Sequence, residues 1–136
     1  MMKLLIVEDD LTFATMLKTW LKKKDFEVTV ASSVARAIAL LREETDISLV
    51  LSDLRLPDND GLYLLDRMRR QGLDLPFIIM THYAEVQNAV AAMKAGASDY
   101  IAKPVQPDIL LSKINDALAL RLQKATMVPA AIATIS

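Results

Sequence analysis

The chain has 136 residues, of which 53% are hydrophobic and 24% are charged, so it can bury the core of one domain and is not a disordered segment. Its formal net charge of −1 excludes the strong basicity that is typical of proteins binding nucleic acid or anionic membranes. Cysteine is absent, which excludes disulfides, thiol catalysis and cysteine-based metal sites and is compatible with a reducing cytoplasm.

Five short apolar runs predict strands, which in chain order are residues 3–7, 26–31, 48–52, 76–80 and 100–102. Segments of helical spacing follow them, at residues 13–21, after Ser32 or Ser33, after a turn-rich loop at residues 57–61 to about Arg70, at residues 86–95 and from Pro107 to Leu122. The apolar side of the last helix is predicted at Ile109, Leu110, Ile114, Leu118 and Leu122. The first run is too short for a signal peptide, and no run reaches the ~20 residues of a membrane helix. We therefore expect a cytoplasmic protein that does not enter a membrane.

This alternation of strands and helices predicts an α/β fold. Strands that are apolar on both faces form parallel sheets that helices cover on both sides. Right-handed crossovers then place the carboxyl ends of all strands at one edge of the sheet, where ligands of such folds bind.

Polar side chains follow four of the five predicted strands. They are Glu8, Asp9 and Asp10 after the first strand, Asp53 after the third, Thr81 after the fourth and Lys103 after the fifth. Carboxylates that share a pocket repel each other, and a hard divalent cation with oxygen ligands removes this conflict. The acidic cluster therefore predicts a Mg²⁺ site, although Asp10 is better explained as a cap of the first helix, or as a group that surrounds the site, than as a direct ligand.

The remaining strand-end residues suit phosphoryl transfer. Lys103 would contribute a compact positive charge, and Thr81 a hydroxyl donor for an incoming oxyanion. An ionised carboxylate is already a nucleophile, so Asp53 can accept a phosphoryl group without a separate general base. His82 is the only histidine, and this chemistry does not require it.

Four motifs resemble those of the receiver (response regulator) family over residues 2–122. They are LLIVEDD at residues 4–10, SDLRLP with DG at residues 52–57 and 60–61, IMT at residues 79–81, and AGASDYIAKP at residues 95–104. The resemblance implies a flavodoxin-like, doubly wound five-stranded parallel sheet of order 2-1-3-4-5 with five helices. It also implies a receiver domain at residues 1–122, which leaves residues 123–136 as a C-terminal tail or linker.

The resemblance assigns a role to each matching position. Asp53 resembles the phosphorylated aspartate, and the Mg²⁺ ligands would be Glu8, Asp9, Asp53 and the backbone carbonyl of Arg55. Thr81 and Tyr100 resemble the switch residues, and Lys103 the lysine that contacts phosphate. The Lys103–Pro104 peptide bond is expected to be cis, as it is in the family.

The implied function is that of a switch and not of an enzyme. A sensor histidine kinase would phosphorylate Asp53, and the face of the fourth helix, fifth strand and fifth helix would then change, with homodimerisation and control of transcription as outputs. No direct contact with nucleic acid is expected.

Residues 80–97 are similar to receivers of sigma-54-dependent, NtrC-type activators. One departure is His82, where the family usually has a small residue; with Arg55 and Tyr83 it is expected to tune the lifetime of the phosphate.

Three other functions have distinct sequence signals. A phosphatase-type hydrolase would carry its nucleophile after the first strand, two residues before a second acid, and steady turnover of a phosphate ester would indicate it. A flavodoxin-like cofactor binder would have a Ser/Thr/Gly-rich loop there, and would show flavin absorbance. A receiver-like interaction module that never takes phosphate would lack part of the site, whereas here the set is complete.

Overall fold

The computed structural model describes residues 1–82 and 86–135, and the side chains among them except those of residues 86 and 124–135. In chain order the described elements are β1 (Lys3–Val7), α1 (Leu11–Lys23), β2 (Glu27–Ala31), α2 (Val34–Glu43), β3 (Ile47–Asp53), α3 (Gly61–Arg70), β4 (Phe77–His82), α4 (Val86–Lys94), β5 (Asp99–Lys103) and α5 (Pro107–Ile135). The predicted alternation of five strands and five helices is confirmed.

The five strands form one sheet in the order β2-β1-β3-β4-β5, and every pair is parallel. This confirms the doubly wound, flavodoxin-like order that the resemblance implies. The carboxyl ends lie at one edge, since Val7 pairs with Ser52 and His82 pairs with Lys103. The residues that follow these strands are thereby brought together at this edge.

The core consists of two apolar layers, one on each face of the sheet. Side chains of α2, α3 and α4 pack on one face, and those of α1 and α5 pack on the other. Alternate residues of β1 pack in opposite layers. Leu5 and Val7 lie in the layer under α2, α3 and α4, and Leu4 and Ile6 lie in the layer under α1 and α5. Each fully buried side chain of this size contributes about 1.5–3 kcal/mol, so these layers hold the sheet edge rigid.

Side chains cap the start of three helices. The bonds run from Phe13 N–H to Asp10 at 3.1 Å, from Arg36 N–H to Ser33 at 3.1 Å, and from Tyr63 N–H to Asp60 at 2.8 Å. Each such cap typically stabilises a protein by about 1 kcal/mol. The predicted cap role of Asp10 is thus confirmed, and Ser33 rather than Ser32 caps α2.

The last helix differs from the prediction at two positions. Leu110, Ile114 and Leu118 are buried, but Ile109 is 45% and Leu122 is 57% exposed. At about 100° per residue, Ile109 lies off the stripe that the buried residues define, and Leu122 lies at its edge. The helix also continues through residue 135, into the segment expected to be a tail, and the domain boundary at residue 122 stays a prediction. Within the part of the chain that the structure describes, no helix combines the length and apolar character needed to cross a bilayer.

Candidate functional site

The carboxyl edge of the sheet brings three acidic side chains together. Glu8 and Asp53 are buried, at 1% and 7% exposure, whereas Asp9 is exposed. One carboxylate oxygen from each lies within 4.8 Å of the others. The N–H of Glu8 donates to the carbonyl of Ala31 at 2.9 Å, which holds the end of β1 against β2. The cluster that was predicted from the strand ends therefore forms.

Lys103 reaches into this cluster from the end of β5. Its Nζ donates to Glu8 Oε1 at 2.8 Å and to Asp53 Oδ2 at 2.9 Å. The ammonium also lies over the aromatic ring of Phe13, from α1, with Nζ 4.9 Å from the ring centroid. Cation–π contacts of this kind stabilise a desolvated ammonium by up to about 2 kcal/mol. A single cation thus joins two acids that lie far apart in the sequence.

The protonation of the cluster follows from its burial. Burial raises the pKa of Glu8 to about 7, because the Lys103 hydrogen bond lowers it only in part and the neighbouring Asp53 raises it. Burial alone would lower the pKa of Lys103, but its hydrogen bonds to Glu8 and Asp53 outweigh burial and the pKa is raised. The site therefore keeps its ammonium and carries one carboxyl that gains a proton near neutrality.

Backbone contacts hold Asp53 in place. The Ser52 hydroxyl donates to the carbonyl of Asp53 at 2.9 Å, and the N–H of Leu54 donates to the carbonyl of Met80 at 2.9 Å. Gly61 lies so close that a Cβ added to it would be 2.7 Å from the Asp53 carbonyl oxygen. Any larger residue at position 61 would push β3 away from α3.

The two predicted switch residues lie in the neighbouring strands. Thr81 is fully buried, and its hydroxyl donates to the carbonyl of His82 over 3.4 Å, a long bond that is readily exchanged for a better acceptor. Tyr100 is half-buried in β5, with the Lys113 ammonium 5.6 Å from its ring centroid. The Lys103–Pro104 peptide bond is cis, as expected.

The side chains expected to tune phosphate lifetime lie at the rim. Arg55 and His82 are exposed, and Arg55 pairs with Asp60 in an isolated antiparallel bridge. Tyr83 lies outside the described residues. A bulky side chain is therefore present at the edge of the site where the family usually has a small one.

Sequence reasoning missed three residues that support the site. Phe13 was predicted only as an apolar helix position, Gly61 only as a loop residue, and Asp58 as part of a turn. Gly61 alone carried a usable signal, since glycine is typical of positions where another part of the structure approaches the backbone closely.

The donor set of the cluster fits a hard divalent cation. Mg²⁺ prefers oxygen ligands and typically takes a few carboxylates together with waters and phosphate oxygens. Glu8, Asp9 and Asp53 offer three carboxylates in one small volume. The same edge also carries the Lys103 ammonium and the buried Thr81 hydroxyl, which can donate hydrogen bonds to phosphate oxygens.

Comparison with known proteins agrees with this geometry. The family model of the response regulator receiver domain matches residues 4–115. The chain is 36% identical to the transcriptional regulatory protein ZraR of Escherichia coli K12 over 116 residues, which are 85% of this chain and 26% of ZraR. It is 34% identical to the response regulator SaeR of Staphylococcus aureus USA300 over 124 residues, 91% of this chain and 53% of SaeR. The chain thus spans about a quarter to a half of these relatives.

Solved structures show the same fold. A receiver domain protein from Clostridium thermocellum has a TM-score of 0.86 at 29% identity, covering 90% of this chain and 98% of that one. NtrX from Brucella abortus has a TM-score of 0.88 at 27% identity, covering 96% of this chain and 30% of that one. The fold, the strand-end residues and the matched family lead to one conclusion: the chain belongs to the response regulator receiver domain family of two-component systems.

Proposed function

We propose that Asp53 accepts a phosphoryl group from a sensor histidine kinase and that the domain is a phosphorylation-dependent switch. The observation that carries the proposal is the position of the Asp53 carboxylate. It lies at the carboxyl edge of the sheet, 2.9 Å from the Lys103 ammonium and beside two further acids. An acceptor in this position has a counter-charge for the incoming phosphoryl oxygens.

Mg²⁺ would be held by Glu8, Asp9, Asp53 and the backbone carbonyl of Arg55. The close approach of the three carboxylates and their oxygen chemistry support this ligand set. When bound, the ion offsets negative charge on the acids and on the transferred phosphoryl group.

In the proposed transfer, an oxygen of the Asp53 carboxylate bonds to phosphorus while the bond from phosphorus to the kinase histidine nitrogen breaks. The electron pair of that bond stays on the imidazole, which then takes a proton from solvent. Lys103 stabilises the charge on the phosphoryl oxygens, and the Thr81 hydroxyl donates to one of them. No proton has to leave Asp53, because the nucleophile is the carboxylate.

The signal would pass from the site to the face of α4, β5 and α5. The new phosphoryl oxygens compete for the Thr81 hydroxyl, whose present bond to His82 is long. Movement of Thr81 frees space for the half-buried Tyr100 ring, and the balance between two arrangements shifts. This face would then form a homodimer and control an output.

The output is proposed to be transcription. The relatives support it, since ZraR is described as a transcriptional regulatory protein. The chain matches only 26% of ZraR, so contact with nucleic acid is assigned to the rest of such a protein and not to this domain.

The acceptor is tested by labelling with a small-molecule phosphodonor in the presence of Mg²⁺. Labelling is expected in the wild type and in Asp66→Asn, which alters an exposed acid of α3, and is expected to be absent in Asp53→Asn and in excess chelator. An unlabelled wild type would identify an interaction module that never takes phosphate. Labelling of Asp53→Asn at the wild-type rate would place the acceptor elsewhere.

The switch is tested by loading the protein with beryllofluoride and Mg²⁺. Amide resonances of Thr81 and Tyr100 are expected to shift, and sedimentation is expected to show a larger species. Unchanged resonances at both residues would contradict the proposed switch. Shifted resonances without a larger species would support the switch but contradict homodimer formation.

A further inference from the structure

The loop that joins β3 to α3 is closed at its neck. The N–H of Gly61 donates to the carbonyl of Leu54 at 2.8 Å, and Arg55 bridges Asp60 just above. The neck also lies close to the proposed acceptor, because a Cβ added to Gly61 would be 2.7 Å from the Asp53 carbonyl oxygen. Residues 54–60 are therefore one compact unit that begins directly after the proposed phosphoryl acceptor.

The tip of this loop is attached to a different part of the molecule. The carboxylate of Asp58 accepts from the N–H of Val34 at 3.0 Å and from the N–H of Ala35 at 2.9 Å. These are the first two residues of α2, 24 and 23 positions away in the sequence. Hydrogen bonds from the Ala35 and Val34 N–H groups accordingly hold the pKa of Asp58 below its usual value.

The attachment point is itself anchored in the core. Val34 is buried at 2% exposure, and α2 inserts its apolar side into the layer that also holds β3 and α3. The helix does not need Asp58 for its cap, because Ser33 already accepts from Arg36 N–H. The Asp58 carboxylate instead accepts hydrogen bonds from N–H groups that Ser33 does not bind. These bonds therefore stabilise the position of the loop as well as the start of the helix.

We infer that Asp58 is a positioning residue, whose two hydrogen bonds to α2 hold the loop of residues 54–60 and thereby the Arg55 carbonyl at the metal site. The role of the Arg55 carbonyl at a metal site rests on the proposed function, whereas the attachment of the loop to α2 does not. A compact unit held only at its neck could tilt as a whole, and each orientation would shift the Arg55 carbonyl that the ion has to find. Asp58, at the start of the run from Asp58 to Gly61, thus affects the geometry of the metal site although its own carboxylate is not a ligand.

The test compares Asp58→Ala with Ser33→Ala, which removes a hydrogen bond at the same end of α2 without touching the loop. In the metal-free protein, backbone order parameters of residues 54–60 are expected to fall in Asp58→Ala and to stay at wild-type values in Ser33→Ala. In Mg²⁺ titrations followed by amide shifts, the affinity is expected to fall about three- to tenfold in Asp58→Ala only, the size of one lost cap interaction. Asp58→Asn keeps one acceptor oxygen, so its loop order and Mg²⁺ affinity are expected to lie between those of the wild type and Asp58→Ala. This variant replaces Asp58→Ala in the test if the alanine variant does not fold.

Two results would overturn the inference. One is an unchanged loop order in Asp58→Ala; the other is an equal loss of Mg²⁺ affinity in both variants, which would reflect α2 stability alone. A wild-type protein without Mg²⁺ affinity would instead refute the proposed ligand set, and the loop order of the metal-free variants would still decide whether Asp58 holds the loop.

Discussion

Replacing Glu8 with glutamine removes the side chain that should make the stability of the metal-free protein depend on pH. The folded protein holds the Glu8 proton with a pKa of about 7, against an ordinary value of 4.5, mainly because the carboxyl is buried. The folded state therefore binds more protons than the unfolded chain between these values, and raising the pH through this window destabilises it.

The size of this effect follows from the two pKa values. One proton contributes about 1.36 kcal/mol per pH unit. Between pH 4.5 and pH 7 the free energy of unfolding should thus fall by about 3 kcal/mol, a large part of the ~5–15 kcal/mol of a typical domain. Asp58, with a lowered pKa, titrates below this window, and Lys3 and Lys103, with raised pKa values, titrate above it.

The assay is urea denaturation in chelator at several pH values from 4.5 to 7. The wild type and Glu43→Gln, which alters an exposed acid of α2, should show the decline, and Glu8→Gln should show a nearly constant free energy of unfolding. An equal decline in Glu8→Gln would refute the reasoning, as would a wild type with constant stability.

Three further substitutions test the contacts of the site. Lys103→Met leaves Glu8 and Asp53 without their shared cation, and should cost about 3 kcal/mol of metal-free stability at neutral pH in urea denaturation; unchanged stability would mean that the ion pairs contribute nothing. Gly61→Ala puts a Cβ 2.7 Å from the Asp53 carbonyl oxygen, and should lower the urea midpoint by the equivalent of about 1–3 kcal/mol and slow phosphodonor labelling; a wild-type midpoint and rate would contradict the close contact. Phe13→Leu keeps an apolar side chain but loses the ring beneath the ammonium, and should cost about 1 kcal/mol, whereas Phe13→Tyr should not. Equal stability of these two variants would remove the cation–π argument.

The strand-end residues could be predicted because two local rules act together. Continuous apolar runs identify the strands of a parallel sheet, and the topology of such sheets gathers their carboxyl ends. Glu8, Asp53 and Lys103 therefore meet, although 95 residues separate the first from the last.

The supporting contacts could not be predicted, because they depend on loop paths and helix rotation. Asp58 lies in a turn-forming run, and its bonds to α2 arise only when two loops fold against each other. Phe13 lies on the half-buried side of α1, and nothing in the helical period aims its ring at Lys103. Leu122 shows the limit of the period itself, since an apolar residue at the edge of the stripe was predicted to face the core and is 57% exposed.

The bridge that Lys103 makes between Glu8 and Asp53 has a consequence for ion selectivity. The ammonium is tied to β5, so it meets these oxygens without the loss of translational freedom that a dissolved ion undergoes on binding. Sodium or potassium carries the same single charge without the tether, and therefore competes poorly. A divalent ion carries twice the charge, and the three carboxylates lie close enough to share one ion. In the proposed metal site the lysine would thus be an internal competitor, which raises the concentration of ion needed to occupy the acids.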